Sequence, residues 1–329
     1  MKALRLHRAG ELRLHEEPEP RAADGEILVH VTAVGLCGSD RHWFVGGGIG
    51  DAVLERPLVL GHEFAGVVAS GGARVGERVA LDPAVPCGRC DVCVAGLGHL
   101  CRTGRFAGHG STDGALRTSL AWPEALAHTV PDRIPDVEAA LLEPLGVALH
   151  ALDLGHVRAG TRTGVFGCGP LGLLLVQVVS ASGGKTVVAT DPLAHRRAAA
   201  GTAGADQAID PADLARGGLE LDVAFETAGT DEALADAIDC VRPGGRVVLV
   251  GIPEDDRTSF LASSARRKGL TLLLSRRMRQ PDLPRAIRLA EHGDVDLGSL
   301  LGERHSLDDW DDAFAALVER RTLKVVVEP

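Results

Sequence analysis

The chain has no tyrosine among its 329 residues, which excludes any enzyme that relies on a phenol as its general acid. Aromatics are only 3%, three Trp and seven Phe, too few for a protein that stacks bases along a nucleic acid. Lysine is nearly missing. Lys2, Lys185, Lys268 and Lys324 are the only four, and the other basic residues are arginines. We read that bias as a compositional habit and not as chemistry. Acidic residues outnumber basic ones 45 to 35, for a net charge of −10 and no basic patch, so no nucleic-acid partner is expected. Long apolar runs are absent as well. The longest, around Leu171–Val179, is about ten residues, half a membrane span, and Met1-Lys2-Ala3-Leu4 does not begin a signal peptide. The expectation is a soluble cytoplasmic protein with no membrane partner, in which cysteines are metal ligands or reactive thiols more often than disulfides.

What is present divides in two, as a length of roughly 100–200 residues per domain suggests. Up to about residue 145 the chain reads as short strands broken by Gly and Pro: Ile27–Val31, Phe64–Val68 and a run near Val79. No helical period is sustained there before Val137–Leu152. This half reads as an irregular barrel with sites on its loops. Beyond residue 150, strands at Thr163–Gly167, Thr186–Thr190, Asp222–Glu226, Arg246–Gly251 and Leu270–Ser275 alternate with helices at Leu171–Ser180, His195–Ala203 and Asp231–Val241. That alternation implies βαβ units and a doubly wound parallel sheet. The last forty or so residues break the rhythm, with a helix at Trp310–Arg320 and a strand at Lys324–Val327, and could return to the first domain.

Three patterns carry chemistry. Cys87, Cys90, Cys93 and Cys101 fall within fifteen residues, and four thiolates at such spacing suit a tetrahedral zinc with no open position, a structural ion. Two disulfides, idle thiols or a redox dithiol are the alternatives, and His99 in the same loop reads as a bystander. Cys37-Gly38-Ser39-Asp40 and Gly61-His62-Glu63 are unremarkable apart, since a lone Cys or His is usually a packed or hydrogen-bonded structural residue. Together they offer thiolate, imidazole and carboxylate, a mixed set suited to a catalytic zinc with an open position. Glu143 adds a carboxylate where the β-rich half gives way to the α/β half. Finally Gly167-Cys-Gly169-Pro170-Leu171-Gly172 fits G-x-G-x-x-G directly after a strand and at the start of a helix, and Asp191 ends the next strand, close to the ~20-residue spacing of a ribose-binding acid. Asp191 would accept ribose hydroxyls and favour NAD over NADP. Arg196 and Arg197 are either phosphate-binding groups or solvated helix residues.

In this order and over essentially the whole chain, GLCGSD at 35–40, GHE at 61–63, the four-cysteine lobe and the nucleotide fingerprint resemble the zinc-dependent medium-chain dehydrogenases. The resemblance implies a GroES-like β-barrel catalytic domain over 1–148, carrying the zinc lobe at about 86–102. A Rossmann domain follows over 149–290, and 291–329 returns to the barrel. It makes Cys37 and His62 ligands of a catalytic zinc. Where the classical alcohol dehydrogenases place a second cysteine this chain reads Leu142-Glu143-Pro144-Leu145, which is similar to the sorbitol and threonine dehydrogenase branch. There Glu63 is a ligand and the later acid lies at or near the metal; whether Glu63, Glu143 or both bind is open. Ser275-Arg276-Arg277-Met278 is similar to a threonine dehydrogenase segment, whereas Glu143-Pro144-Leu145 is nearer sorbitol dehydrogenase.

The implied chemistry is hydride transfer between a secondary alcohol (polyol, cyclitol or amino alcohol) and NAD, with two zinc ions per chain, one catalytic and one structural. Ser39 would take the hydroxyl proton and His42 pass it to solvent, although His42 reads equally as a surface imidazole. Trp43 and Phe44 either wall the substrate pocket or pack the core. The rival readings are a zinc-free quinone-type reductase and a nucleotide-binding protein without activity, and zinc content separates them. A homodimer or homotetramer through edge pairing of Leu270–Ser275 is expected.

Overall fold

The structure, a computed structural model, describes residues 1–215 and 218–329. Its chain divides into two units: Met1–Glu143 with Arg279–Glu291 and Leu300–Pro329, and Pro144–Met278 with His292–Ser299.

The first unit is built around Glu26–Gly35, a strand rich in β-branched residues and buried along most of its length. It pairs antiparallel with Glu63–Ser70, with Ser119–Pro123 and with Lys324–Glu328. These belong to a seven-stranded sheet that continues through Arg78–Leu81 to Ala127–Thr129 on one side and ends at Leu301–Ser306 on the other. Only the last pair, Leu301–Ser306 with Lys324–Glu328, is parallel, and the helix Trp310–Glu319 makes the crossover that a parallel pair requires. The C-terminal return expected from the sequence is therefore a strand pair added to the barrel sheet. A core of Leu4, Leu6, Ile27, Leu58, Leu60, Phe64, Leu81, Trp122 and Phe314 fills this unit. Trp43 and Phe44 belong to it too, Phe44 packing on Phe314 with ring centroids 5.0 Å apart.

The second unit holds a six-stranded parallel sheet in the spatial order Ala208–Ile209, Lys185–Thr190, Arg162–Phe166, Leu221–Glu226, Val241–Leu249, Thr271–Leu274. Counted within the unit this is 3-2-1-4-5-6, the doubly wound order whose ligand crevice opens where the order reverses, beyond the first and fourth strands. The helix Pro170–Ala181 is buried without a break from Gly172 to Val179, which explains why it reads as apolar nearly all round.

Three expectations are corrected. The unit limits fall at Glu143/Pro144 and Met278/Arg279, not at 148 and 290, and Arg279–Glu291 counts with the barrel. A helix does occur before Val137: Gly38–Gly46 is α-helical, hidden in sequence because GSDRHWFVG has no apolar period. The single helix expected over Val137–Leu152 is two, Asp136–Ala139 and Leu142–Gly155. A further helix, Asp282–His292, buries Leu283, Ala286 and Ile287; its Pro284 sits in the first turn, where a missing N–H costs nothing. No helix among the described residues is long and apolar enough to cross a membrane.

Candidate metal centre and dinucleotide site

Cys37 precedes the helix Gly38–Gly46, and His62 immediately precedes the strand Glu63–Ser70, which Glu63 opens. One donor atom from each of Cys37, His62 and Glu63 lies within 4.8 Å of the others. Donors on one zinc at about 2.0–2.3 Å can be at most about 4.6 Å apart, so small side-chain movements suffice to share an ion. Sulfur, nitrogen and oxygen donors, with no fourth protein group in the cluster among the described residues, leave a position for a further ligand.

Asp40, to which the sequence reading assigned no role, holds this arrangement together. Its carboxylate accepts the Cys37 N–H at 2.9 Å and the Gly61 N–H at 3.1 Å, joining the two ligand-bearing segments. It also faces His62 Nδ1 at 3.7 Å, the kind of carboxylate contact that orients a metal-binding histidine. Burial opposes its charge, but His62 and the two N–H donors outweigh burial and hold the carboxyl below its ordinary range. Burial also disfavours a charged His62, and Asp40 together with Cys37 more than offsets it, so the imidazole's pKa stands well above its usual value. The signal that could have found Asp40 is its place three residues past Cys37, where an acid reaches back to the N-cap. Ser39 Oγ lies 3.5 Å from His62 Nε2, at the outer limit of a hydrogen bond. His42 follows on the same helix at i+3, on the same face as Ser39.

Glu63 is not alone. The ammonium of Lys324 lies against its Oε2, and the two side chains are only 2% and 1% exposed. That oxygen accepts no well-aligned hydrogen bond among the described residues, so the contact is an ion pair. Burial works against the ammonium, while Glu63, Cys37 and Asp40 outweigh it and raise its pKa. Both side chains lie over Gly35, where a Cβ would collide with Glu63 Oε2 and come within 2.9 Å of Lys324 Cε. Glu143 lies outside the three-donor cluster. It is buried, and burial pushes its carboxyl up to about 8, with Glu63 reinforcing the rise and His62 and Lys324 opposing it.

The four lobe cysteines also converge, one Sγ from each within 4.8 Å of the rest. Cys87 and Cys93 sulfurs are 4.0 Å apart and those of Cys90 and Cys101 3.9 Å, close to the ~3.8 Å edge of a tetrahedron with Zn–S near 2.3 Å. All are free thiols, too far apart to be disulfides. His99 is buried but does not join them. Cys168 and Cys240, outside both clusters, are buried.

In the second unit, Gly167 takes φ +107°, a conformation that favours glycine, at the end of the strand Arg162–Phe166. A Cβ on Gly172 would collide with the Gly167 carbonyl. Gly169 is the N-cap and Pro170 the first residue of the helix that follows, with Leu171 next, leaving backbone N–H groups pointed out of the turn. Thr227 Oγ1 donates to the Gly167 carbonyl at 2.6 Å, tying the loop after the fourth strand of the unit to the glycine turn. Asp191 is 4% exposed, and its oxygens accept the Cys168 N–H at 2.9 Å and the Leu193 N–H at 2.8 Å. Each carboxylate oxygen keeps a second lone pair for a ligand hydroxyl. The two arginines part company. Arg197 is occupied by the Asp191 and Pro192 carbonyls and by Asp210. Arg196 reaches over the turn, its Nη1 3.8 Å from Asp191 Oδ2 and 3.7 Å from where a Gly169 Cβ would be.

Comparison with known proteins agrees with this geometry. Residues 23–132 match the alcohol dehydrogenase GroES-like domain and residues 170–292 the zinc-binding dehydrogenase domain. The chain is 33% identical to the sorbitol dehydrogenase of Bacillus subtilis, over 100% of this chain and 97% of that protein. It is 32% identical to a D-xylulose reductase A of Aspergillus oryzae, over 96% and 93%. An Escherichia coli alcohol dehydrogenase solved with NADH superposes with a TM-score of 0.90 at 28% identity, covering 100% of this chain and 99% of that one. A Sinorhizobium meliloti zinc-binding dehydrogenase solved with NADP gives 0.90 at 30%, with the same coverage. The glycine turn, the two donor clusters and these matches place the chain in one family: it belongs to the zinc-dependent medium-chain dehydrogenases.

Proposed function

We propose that the protein oxidises a secondary alcohol of the polyol, cyclitol or amino alcohol class to the ketone, with NAD as hydride acceptor. The observation that carries this reading is the Cys37–His62–Glu63 donor set on a chain that also carries the dinucleotide turn. Sorbitol dehydrogenase and xylulose reductase among its relatives support the substrate class.

Bound zinc would supply Lewis acidity to the substrate hydroxyl, and the nicotinamide the hydride chemistry. Cys37, His62 and Glu63 hold the ion, and Asp40 keeps His62 in register. Ser39 stands beside His62 to accept the hydroxyl proton, and His42 on the same helix face relays it outward. Glu143, buried and with its carboxyl pushed up to about 8, is a second carboxyl that would hold a proton at neutral pH near the ligand cluster. The N–H groups around Gly167, Gly169, Pro170, Leu171 and Gly172 receive the pyrophosphate. Asp191 receives the ribose hydroxyls, and its buried, doubly anchored charge disfavours a 2′-phosphate. Arg196 covers the adenosine end.

We assign a second, structural zinc to Cys87, Cys90, Cys93 and Cys101. Four thiols that must stay reduced to hold it suit the cytoplasm. Assembly as a homodimer or homotetramer would use the edge strand Thr271–Leu274, whose Leu274 is exposed. The deciding experiment is a panel of polyols, cyclitols and amino alcohols assayed with NAD and NADP, alongside metal analysis and light scattering. We expect two zinc ions per chain, a kcat/KM ratio favouring NAD and turnover abolished by chelation. A single zinc, or turnover that survives chelation, would overturn the catalytic assignment.

A further inference from the structure

The metal centre contains a cation of its own. Lys324 is one of only four lysines in the chain, and it is spent at a fully buried position against Glu63. Strand register brings this about. Gly35 pairs with Glu63 on one side and with Val326 on the other, so both charged side chains reach over the same glycine. The groups that raise the ammonium's pKa against burial are Glu63, Cys37 and Asp40, proposed ligands or the side chain that orients them, and the buried Glu143 also feels its charge. An ammonium and a divalent ion drawn to one carboxylate repel each other and compete for its lone pairs. Without an ion, a buried carboxylate lacking a partner would be strongly destabilising.

We propose that Lys324 is a positioning residue of the metal centre, a built-in counter-charge that holds Glu63 in place when no ion is bound and competes with the metal for that carboxylate. The cost is metal affinity, and the gain is a donor set that stays folded while awaiting its ion. This inference rests on reading Cys37, His62 and Glu63 as one metal site, and the experiment separates the two.

The full-length chain is titrated with cobalt(II) against a competing chelator, the d–d bands reporting coordination, and the metal-free chains are melted. His62→Ala is expected to lower metal stoichiometry by one ion; an unchanged stoichiometry overturns the site itself. With the site established, Lys324→Met is expected to bind the ion about tenfold more tightly while its metal-free form melts at lower temperature. Lys324→Arg, which keeps the charge, should stay within about threefold of the parent. A merely structural role predicts the reverse for affinity, because damage to packing weakens binding. Affinity in Lys324→Met that is unchanged or weaker overturns the proposal. In a Glu63→Gln background the gain from Lys324→Met should shrink below about threefold, and an undiminished gain overturns competition for that carboxylate. If Lys324→Met does not fold, the Glu63→Gln/Lys324→Met chain, with both charges removed, should. Its failure as well would overturn the proposal.

Discussion

Glu143 is a buried carboxyl of the barrel unit whose protonation is strongly displaced. Burial pushes its carboxyl from 4.5 up to about 8, so the native chain binds a proton there more tightly than the unfolded chain does. Its contribution to stability is fully present below about pH 4.5 and is lost as pH rises through about 8. In chelator-treated protein, melting temperature should therefore fall across that interval, and Glu143→Gln should flatten the fall. An equally steep profile in the variant would show that other groups set it. Cys37, His62 and Glu63 were legible in sequence because two short motifs, GLCGSD and GHE, carry ligand types; Glu143 was also singled out, but it lies outside their cluster. Lys324 and Asp40 were not. Lys324 meets its partner only through a strand register spanning most of the chain, which no local spacing encodes. Asp40 looks like an ordinary acid in the first turn of an unrecognised helix.

Among the elements, the parallel sheet was the most readable, because buried strands and apolar helices alternate in lengths that only βαβ packing satisfies. The helix Gly38–Gly46 was the least. Its ends are glycines and its faces carry no apolar stripe, so it is stabilised by what it packs against and by the Asp40 cap. The cysteine lobe lies at the other extreme. Its turns at Gly88 and Gly96 take positive φ, its helices are three and four residues long, and Val94, Leu97 and Leu100 stay exposed. With so little core, the proposed ion would supply much of its order. Cys90→Ser should lower the zinc content from two ions to one and the melting temperature by roughly 5 °C or more. An unchanged zinc count would mean that the lobe holds none.

At the scale of the molecule, neither unit is one continuous stretch of chain. The barrel unit opens at Met1, is left at Glu143, is rejoined at Arg279–Glu291, and closes only with Leu300–Pro329. No single cut separates the two units, so we expect limited proteolysis to yield nicked but associated chains instead of two free domains. Two separable folded fragments would contradict this. The −10 net charge is spread over both units and assigns neither a polyanion partner.

The late arrival of Lys324 has a consequence for biosynthesis. Every proposed zinc ligand has been translated by residue 143, yet the strand bearing the counter-charge, Lys324–Glu328, lies far downstream of them. Until that strand is made the nascent chain therefore carries the Cys37, His62 and Glu63 cluster with a missing sheet neighbour. An interrupted translation product would keep the ligands and lose the site's resident cation together with the buried Val325, Val326 and Val327. Removing 324–329 should thus leave a chain that aggregates or is degraded although all its metal ligands are present, and one that accumulated as a stable monodisperse species would refute this. The proposed metal centre thus gains its counter-charge only when the strand Lys324–Glu328 joins the sheet beside Gly35, so its integrity reports on whether that strand has docked.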